Sequence, residues 1–412
     1  MEEQPKQNGV SRRDFLKTSA VAGVGLALGA VGVGAVMGIG KNAQQAGTVS
    51  AAEGDRIPMY GVNQAGIVTP QQTYMYLAAF HLTAADRAGV IKLFREWTKF
   101  SDLSTNGGTM KTGDNPLLPP SDTGETLDLP ASKLTVTFGF GASFFEENGK
   151  DRYGIAHLAP KALRDIPRMP RENLDPSISG GDVCVQVCAE DQQVAFHAVR
   201  NLIRLSTGSA TLKWMQEGFI SAKSGTTPRN LFGFKDGTAN GLHQTDDGFK
   251  QVVWAGADEP AWMQGGTYMA YRKIRMLLEM WDRTSLDDQE ATFGRRKESG
   301  AAFGMPGEFD KVDAGKLPAD SHVRLAKDAK QQIHRRAYSY TDAVDPRTGN
   351  VHAGLLFISF QRNPDEQFIP MLRLMQNQDK LNEYTMHIAS AMFACPGGLR
   401  EGQYIGQALL EG

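Results

Sequence analysis

The chain has 412 residues, 41% of them apolar and 22% charged, with a formal net charge of -2. That length accommodates two domains, or one large one, around a well-buried core. The near-neutral balance and the lack of any long Lys/Arg run exclude a basic nucleic-acid footprint, so no nucleic acid is expected as a partner.

Residues 1–52 read as an address rather than a fold. A polar start leads to Ser11-Arg12-Arg13-Asp14-Phe15-Leu16-Lys17, and an uncharged run of mostly Ala, Val, Gly and Leu follows from Ala20 to Ile39. Small residues then dominate up to Ala52, completing the three regions of an export signal. The arginine pair followed by Phe-Leu-Lys resembles a twin-arginine signal, which a translocase reads and which does not anchor the protein. Export with cleavage between Ala46 and Ala52 is expected. The rival reading is a permanent membrane helix, since the apolar stretch is long enough to span a bilayer. Its Gly and Ala content makes it a weak one. Twin-arginine export carries proteins already folded, often with a cofactor loaded, so a redox cofactor is anticipated.

In the mature chain, helical spacing of Val90, Ile91, Phe94 and Trp97 predicts a helix over 83–100, with Thr83 as its cap. Residues 103–130 are rich in Pro, Gly, Ser and Thr and read as a loop. Residues 133–147 begin with a strand-like alternation. A strand follows at 182–188, then a helix at 190–206. Alternation puts Cys184 and Cys188 on one face of that strand, about 13 Å apart at ~3.3 Å per residue, too far for a disulfide. With Cys395 the only other cysteine, they read as small buried hydrophobes. After a loop at 222–230, strands are expected at 266–278, 333–340 and 352–360, and helices at 285–295, 366–375 and 380–392. Strands and helices mix without a regular βα repeat, so the class is α+β with antiparallel sheets and peripheral helices. The order strand, helix, strand, strand, helix is visible in each half, giving two ferredoxin-like units at 56–225 and 226–412.

None of the eight histidines belongs to a zinc motif, and no Cys-x-x-Cys-His occurs, which argues against a classical zinc site and against covalent c-type haem. Four segments carry the chemistry. They are Tyr60-Gly-Val-Asn-Gln-Ala-Gly-Ile-Val-Thr-Pro70; Pro228-Arg-Asn-Leu-Phe-Gly-Phe-Lys-Asp-Gly-Thr-Ala-Asn240; Ser321-His-Val-Arg-Leu325 with Arg335-Arg-Ala-Tyr-Ser-Tyr340; and His352-Ala-Gly-Leu-Leu-Phe-Ile-Ser-Phe-Gln361. Alone, Gly233-Phe-Lys-Asp-Gly237 would be a hairpin turn. In this order the segments closely resemble the dye-decolorizing peroxidase family, in its exported, iron-uptake-associated branch, from about residue 58 to 412.

That resemblance implies one haem b per subunit, bound mainly by the C-terminal unit. His322 becomes the proximal iron ligand, Asp236 the distal acid–base and Arg335 the distal cation. Gly233, Phe234, Gly237, Thr238 and Asn240 become the loop at the cofactor, and Leu355 and Phe357 the lining of the distal pocket. Asp379 is the partner of the ligating imidazole, with Glu383 as rival. The residue types suit these roles. Haem iron takes a neutral imidazole on one side. Peroxide cleavage needs a base that carries a proton between its two oxygens. A carboxylate between glycines can approach closely, and a guanidinium stabilises developing negative charge and favours an ionised carboxylate beside it. If 333–340 is extended, Arg335 and Arg336 face opposite ways, and Arg336 is expected in a structural ion pair. A ligating imidazole commonly donates its other N–H to a carboxylate. Gly241 departs from the proline common at that position and is expected to affect only the loop.

Three functions follow. The first is peroxidase activity, with hydrogen peroxide as oxidant and dyes, phenols or a metal as electron donor, relayed in part through Trp254, Trp262, Tyr338 or Tyr340. The second is iron handling: release of iron from haem with the macrocycle intact (deferrochelatase), or oxidation of ferrous iron for an iron-uptake permease. The third is a non-enzymatic haem carrier, in which Asp236 and Arg335 would have no purpose. Homo-oligomers are common in the family.

Overall fold

The computed structural model describes residues 55–412 apart from 112 and 114, and the export signal lies outside the described residues. The first half holds β1 (Tyr74–Leu82), α1 (Arg87–Thr105), β2 (Thr135–Gly141), β3 (Val183–Ala189), α2 (Gln192–Leu205) and β4 (Ala210–Phe219). A connection with α3 (Asp246–Val252) leads to β5 (Thr267–Met276), then α4 (Leu286–Phe293) and α5 (His322–Asp328). The chain continues through β6 (His334–Arg335), β7 (Tyr338–Val344), β8 (Val351–Gln361), α6 (Phe368–Gln378) and β9 (Thr385–Cys395).

The strand order is β2-β3-β1-β4 in the first half and β7-β8-β5-β9 in the second. With the two-residue β6 on β8 set aside and the rest numbered within each half, both read 2-3-1-4, with every named pairing antiparallel. Both halves are therefore ferredoxin-like, and the class is α+β as expected. The two sheets meet edge to edge, Phe219 opposite Ser339 on one side and Phe140 opposite Ala394 on the other, so the strands close into a ring. Alternation then sorts side chains. Cys184 and Cys188 face the ring interior with Tyr271, Tyr338, Leu356 and Cys395, all fully buried. Val183, Val185 and Val187 face outward against α1 and α2. There Trp97 is fully buried and its Nε1 donates to Leu202 O at 2.8 Å, and cutting such a residue to Ala costs about 3–5 kcal/mol.

Several elements differ from expectation for physical reasons. β1, Tyr-Met-Tyr-Leu-Ala-Ala-Phe-His-Leu, carries no alternation because nearly all of it is buried on both faces. The helix near 83–100 starts later: Asp86, not Thr83, caps it by accepting from Gly89 N at 2.9 Å, while Thr83 N donates to Ser209 O. The segment expected as a helix over 380–392 is mostly β9. Pairing with β5 along its length overrides its local propensity, and Ala389, Ala391 and Phe393 enter the ring interior while Met392 and Ala394 face out. The strand expected over 333–340 breaks at Arg336-Ala337 into β6 and β7, both on β8. The loop after α1 is pinned to α2 by the buried pair His197 Nε2–Asp122 Oδ1 at 2.8 Å.

Candidate active site

The Asp236 loop is built by its own backbone. Asn230 Oδ1 accepts from Phe232 N and Phe234 N, and Arg229 pairs with Lys235 across a tight turn. Gly233 and Gly237 have φ of 84° and 105°, angles that other residues rarely adopt. A Cβ at Gly233 would meet Lys297 Cε at 2.8 Å, whereas one at Gly237 would meet nothing within 4 Å. At Gly237, then, the left-handed backbone rather than crowding calls for glycine. Phe234 is buried, its ring stacked 4.1 Å from Phe293, so it anchors the loop in an aromatic cluster with Phe232 and Trp281. Thr238 Oγ1 donates to Glu308, which also pairs with Lys235.

That anchoring leaves Asp236 at a cleft shared with Gly237, Asn240, Arg335 and Leu355. Arg335 Nη1 donates to Asp236 Oδ1 at 2.8 Å, and both side chains keep about a fifth of their surface exposed, 22% and 17%. Asn240 pairs its amide with the Arg335 peptide, donating to Arg335 O at 2.6 Å and accepting from Arg335 N at 3.0 Å.

His322 opens α5, with its side chain 30% exposed, and its Nδ1 lies 2.7 Å from Asp379 Oδ2. Asp379 is almost fully buried, and its Oδ1 accepts from Leu381 N at 2.9 Å, so backbone and imidazole fix its orientation together. An ionised carboxylate only accepts, which assigns the proton to Nδ1 and leaves the Nε2 lone pair free. Of the two rival carboxylates, Asp379 reaches the ring and Glu383 is exposed.

Beside Asp236 lies a partly covered apolar wall. Along β8 from Ala353 to Gln361 every residue is buried except Leu355 and Phe357, which share the face away from the ring interior. In the first half, α2 packs directly on β1 and β3; in the second, the principal contacts of α4 and α5 are with each other and, for α5, with α6 rather than with a strand. The helix carrying His322 thus stands off the sheet. Phe293 joins the two sides, stacking on Phe234 and meeting the His322 ring edge-on at 5.9 Å. An imidazole with about a third of its surface exposed and an unbonded nitrogen, a strand face only partly covered and a carboxylate–guanidinium pair would suit a flat macrocycle ligated by that nitrogen.

Arg336 corrects an expectation. It is buried, and its guanidinium donates to Thr69 O, Pro70 O and the Gln72 side chain, with no carboxylate partner among the described residues. Backbone carbonyls of the segment just before β1 supply the acceptors an ion pair was expected to supply. Of the relay candidates, Tyr338 and Tyr340 are fully buried in the ring, Trp262 is buried with its Nε1 on Leu158 O, and Trp254 is half-buried. Asn230 and Glu308, which hold the loop, carried no sequence signal, because their partners lie in turns and in a segment about 70 residues away.

The comparisons agree with this geometry. Residues 64–220 match the N-terminal domain of Dyp-type peroxidases and residues 227–400 the C-terminal domain. Residues 9–29 match the twin-arginine translocation signal, so the protein is exported by that pathway. No helix among the described residues is long and apolar enough to cross a membrane. The chain is 40% identical, over 98% of both chains, to a protein of Escherichia coli K12 named deferrochelatase, and 39% identical to that of Shigella flexneri serotype 5b over 98% of this chain and 99% of the relative. Among solved structures it resembles ferric DtpA from Streptomyces lividans, at a TM-score of 0.80 and 35% identity over 90% of this chain and all of that one. It also resembles a DyP-type peroxidase from Cellulomonas bogoriensis, at 0.79 and 37% over 88% of this chain and all of that one. By sequence and by fold, the chain belongs to the Dyp-type peroxidase family.

Proposed function

We propose that this exported haem peroxidase works through Asp236 and Arg335, with one haem b per subunit ligated by His322. Haem, when bound, supplies the iron at which peroxide is reduced to water at the expense of an electron donor. The chain's own groups do the rest. Arg335 Nη1 occupies Asp236 Oδ1, which leaves Oδ2 to take the proton from one peroxide oxygen and return it to the departing one. The guanidinium meets the negative charge that develops as the oxygens separate. Asp379 holds the His322 proton on Nδ1, keeping Nε2 a ligand. Leu355 and Phe357 give the macrocycle an apolar bed, and the 226–412 half carries these groups while 56–225 closes the ring of strands.

The observation that carries this reading is the Asp236–Arg335 pair opening on a cleft that includes Leu355. A haem carrier has no use for a proton-carrying carboxylate beside a fixed cation. Asp236→Asn, loaded with haem, is expected to react with peroxide on the order of 100- to 10,000-fold more slowly in stopped flow while keeping its haem. A wild-type rate would refute the assignment.

A second reading has a specific support: the full-length relatives named deferrochelatase. On it, the same pocket releases iron from haem and delivers it to iron-uptake permease partners. Free protoporphyrin after incubation with haem and a reductant supports it, and intact haem counts against it. Homo-oligomerisation is tested by light scattering.

A further inference from the structure

Asp236 and Arg335 are 99 positions apart in sequence, on a loop and on an edge strand. Two ties join those segments, and both sit on the single 3-10 turn Thr238–His243 that begins two residues after Asp236. The first is Asn240. β6 pairs with β8 on one edge, Arg335 opposite Ser359, and on the other edge the Asn240 amide gives and receives a hydrogen bond with the Arg335 peptide, as a neighbouring strand would. The second is a pair of buried imidazoles. His243 Nε2 lies 3.2 Å from His334 Nδ1, and both rings sit edge-on to Phe249. The His243–His334 contact therefore binds the Arg335 strand to the Asp236 turn.

We propose that Asn240 and the His243–His334 pair are positioning residues that fix the Asp236–Arg335 separation and so set the rate of the peroxide step. This rests on the peroxidase reading above. None of the three need touch peroxide; they act by holding the carboxylate and guanidinium where proton transfer and charge stabilisation coincide. A misplacement of about 1 Å in such a constellation can cost on the order of 100-fold in rate.

The test uses the full mature chain loaded with haem, comparing Asn240→Ala, Asn240→Asp and His243→Phe with wild type and Asp236→Asn. Asn240→Ala removes both halves of the clamp. Asn240→Asp keeps an acceptor for Arg335 N but loses the donor to Arg335 O. The stopped-flow rate with peroxide is expected to fall at least ten-fold in Asn240→Ala and His243→Phe, and by an intermediate factor in Asn240→Asp. Haem content and kcat/KM for a dye donor should stay at wild-type values, because the His322–Asp379 side and the donor step are untouched. Rates within two-fold of wild type in Asn240→Ala and His243→Phe would overturn the proposal. So would rate losses that only track lost haem or lost folded protein. If Asn240→Ala does not fold, the other two variants decide by the same criteria. A wild-type rate in Asp236→Asn would instead overturn the underlying peroxidase assignment, which separates the two failures.

Discussion

Replacing Asp379 by Asn tests the proximal side with almost no change of shape. The carboxylate accepts the His322 Nδ1 proton at 2.7 Å, is 4% exposed, and is oriented through its other oxygen by Leu381 N. Asn has one acceptor oxygen where Asp379 uses two, so accepting from the imidazole turns its NH2 toward Leu381 N, and the substitution removes the charge and that backbone bond together. Hydrogen bonds to charged groups contribute about 1.5–3 kcal/mol and neutral ones about 0.5–1.5. The midpoints differ by about 1.2 kcal/mol, or a factor of about eight in the dissociation constant for haem. That lies just below the roughly 10–100-fold typical when the partner of a metal-ligating histidine is lost. The assay is titration of apo-protein with haem followed at the Soret band, with the exposed Glu383→Gln as a control expected to match wild type. His322→Ala should lose far more, or bind with a visibly different spectrum. An Asp379→Asn protein with wild-type affinity and an unshifted ferric spectrum would refute the claim that this carboxylate governs the ligand.

Two further outcomes concern stability. Arg336→Met leaves Thr69 O and the Gln72 side chain without their buried donor, so a loss of about 2–4 kcal/mol is expected in urea unfolding, and a loss under 1 kcal/mol would contradict the assigned contacts. Burial first, then the neighbouring His243 and Arg336, pushes His334 down to about 3 from the ordinary 6.5, so below pH 6.5 the unfolded chain takes up a proton that the folded one refuses. Stability is therefore lost at about 1.4 kcal/mol per pH unit as pH falls from 6.5 toward 3, and His334→Phe should remove that increment, about 2 kcal/mol between pH 6.5 and 5; equal slopes in the two proteins would show that His334 is not held neutral.

What sequence revealed and what it hid follows from the range of each interaction. The loop Gly233–Gly237 was legible because left-handed glycines and an Asp-Gly step are local. The separation of Arg335 from Arg336 was legible because alternation is local too, although their partners were not. Arg336 binds carbonyls more than 260 positions away, and no pattern announces a carbonyl. β1 and β9 were hidden for different reasons. β1 is apolar but for His81 and so loses its period, while β9 (Thr-Met-His-Ile-Ala-Ser-Ala-Met-Phe-Ala-Cys) has no clean alternation and becomes a strand through its pairing with β5. Asp379 was reachable only through the family resemblance, since a carboxylate 57 positions from His322 carries no spacing signal of its own.

The two halves also give a physical reason for the proposal that one of them holds the cofactor. Both repeat the same strand order, so a sheet face is available in each. In the first half Phe94 and Trp97 of α1, with α2 beside them, seal that face, and Phe80, Phe138 and Phe140 beneath them are buried. In the second half the first crossover runs from Leu277 to Ile333, and its helices pack on one another, so the face at Leu355 and Phe357 keeps partial exposure. A bare apolar strand face costs stability at roughly 25 cal/mol per Å² left in water. A fold retains such a cost where a ligand removes it, and a large flat macrocycle covers far more of that surface than any one side chain could. Filling the gap should therefore expel haem: Leu355→Trp is expected to raise the stability of the apo-protein while weakening haem binding, and tighter haem binding in that variant would argue that the cofactor lies elsewhere.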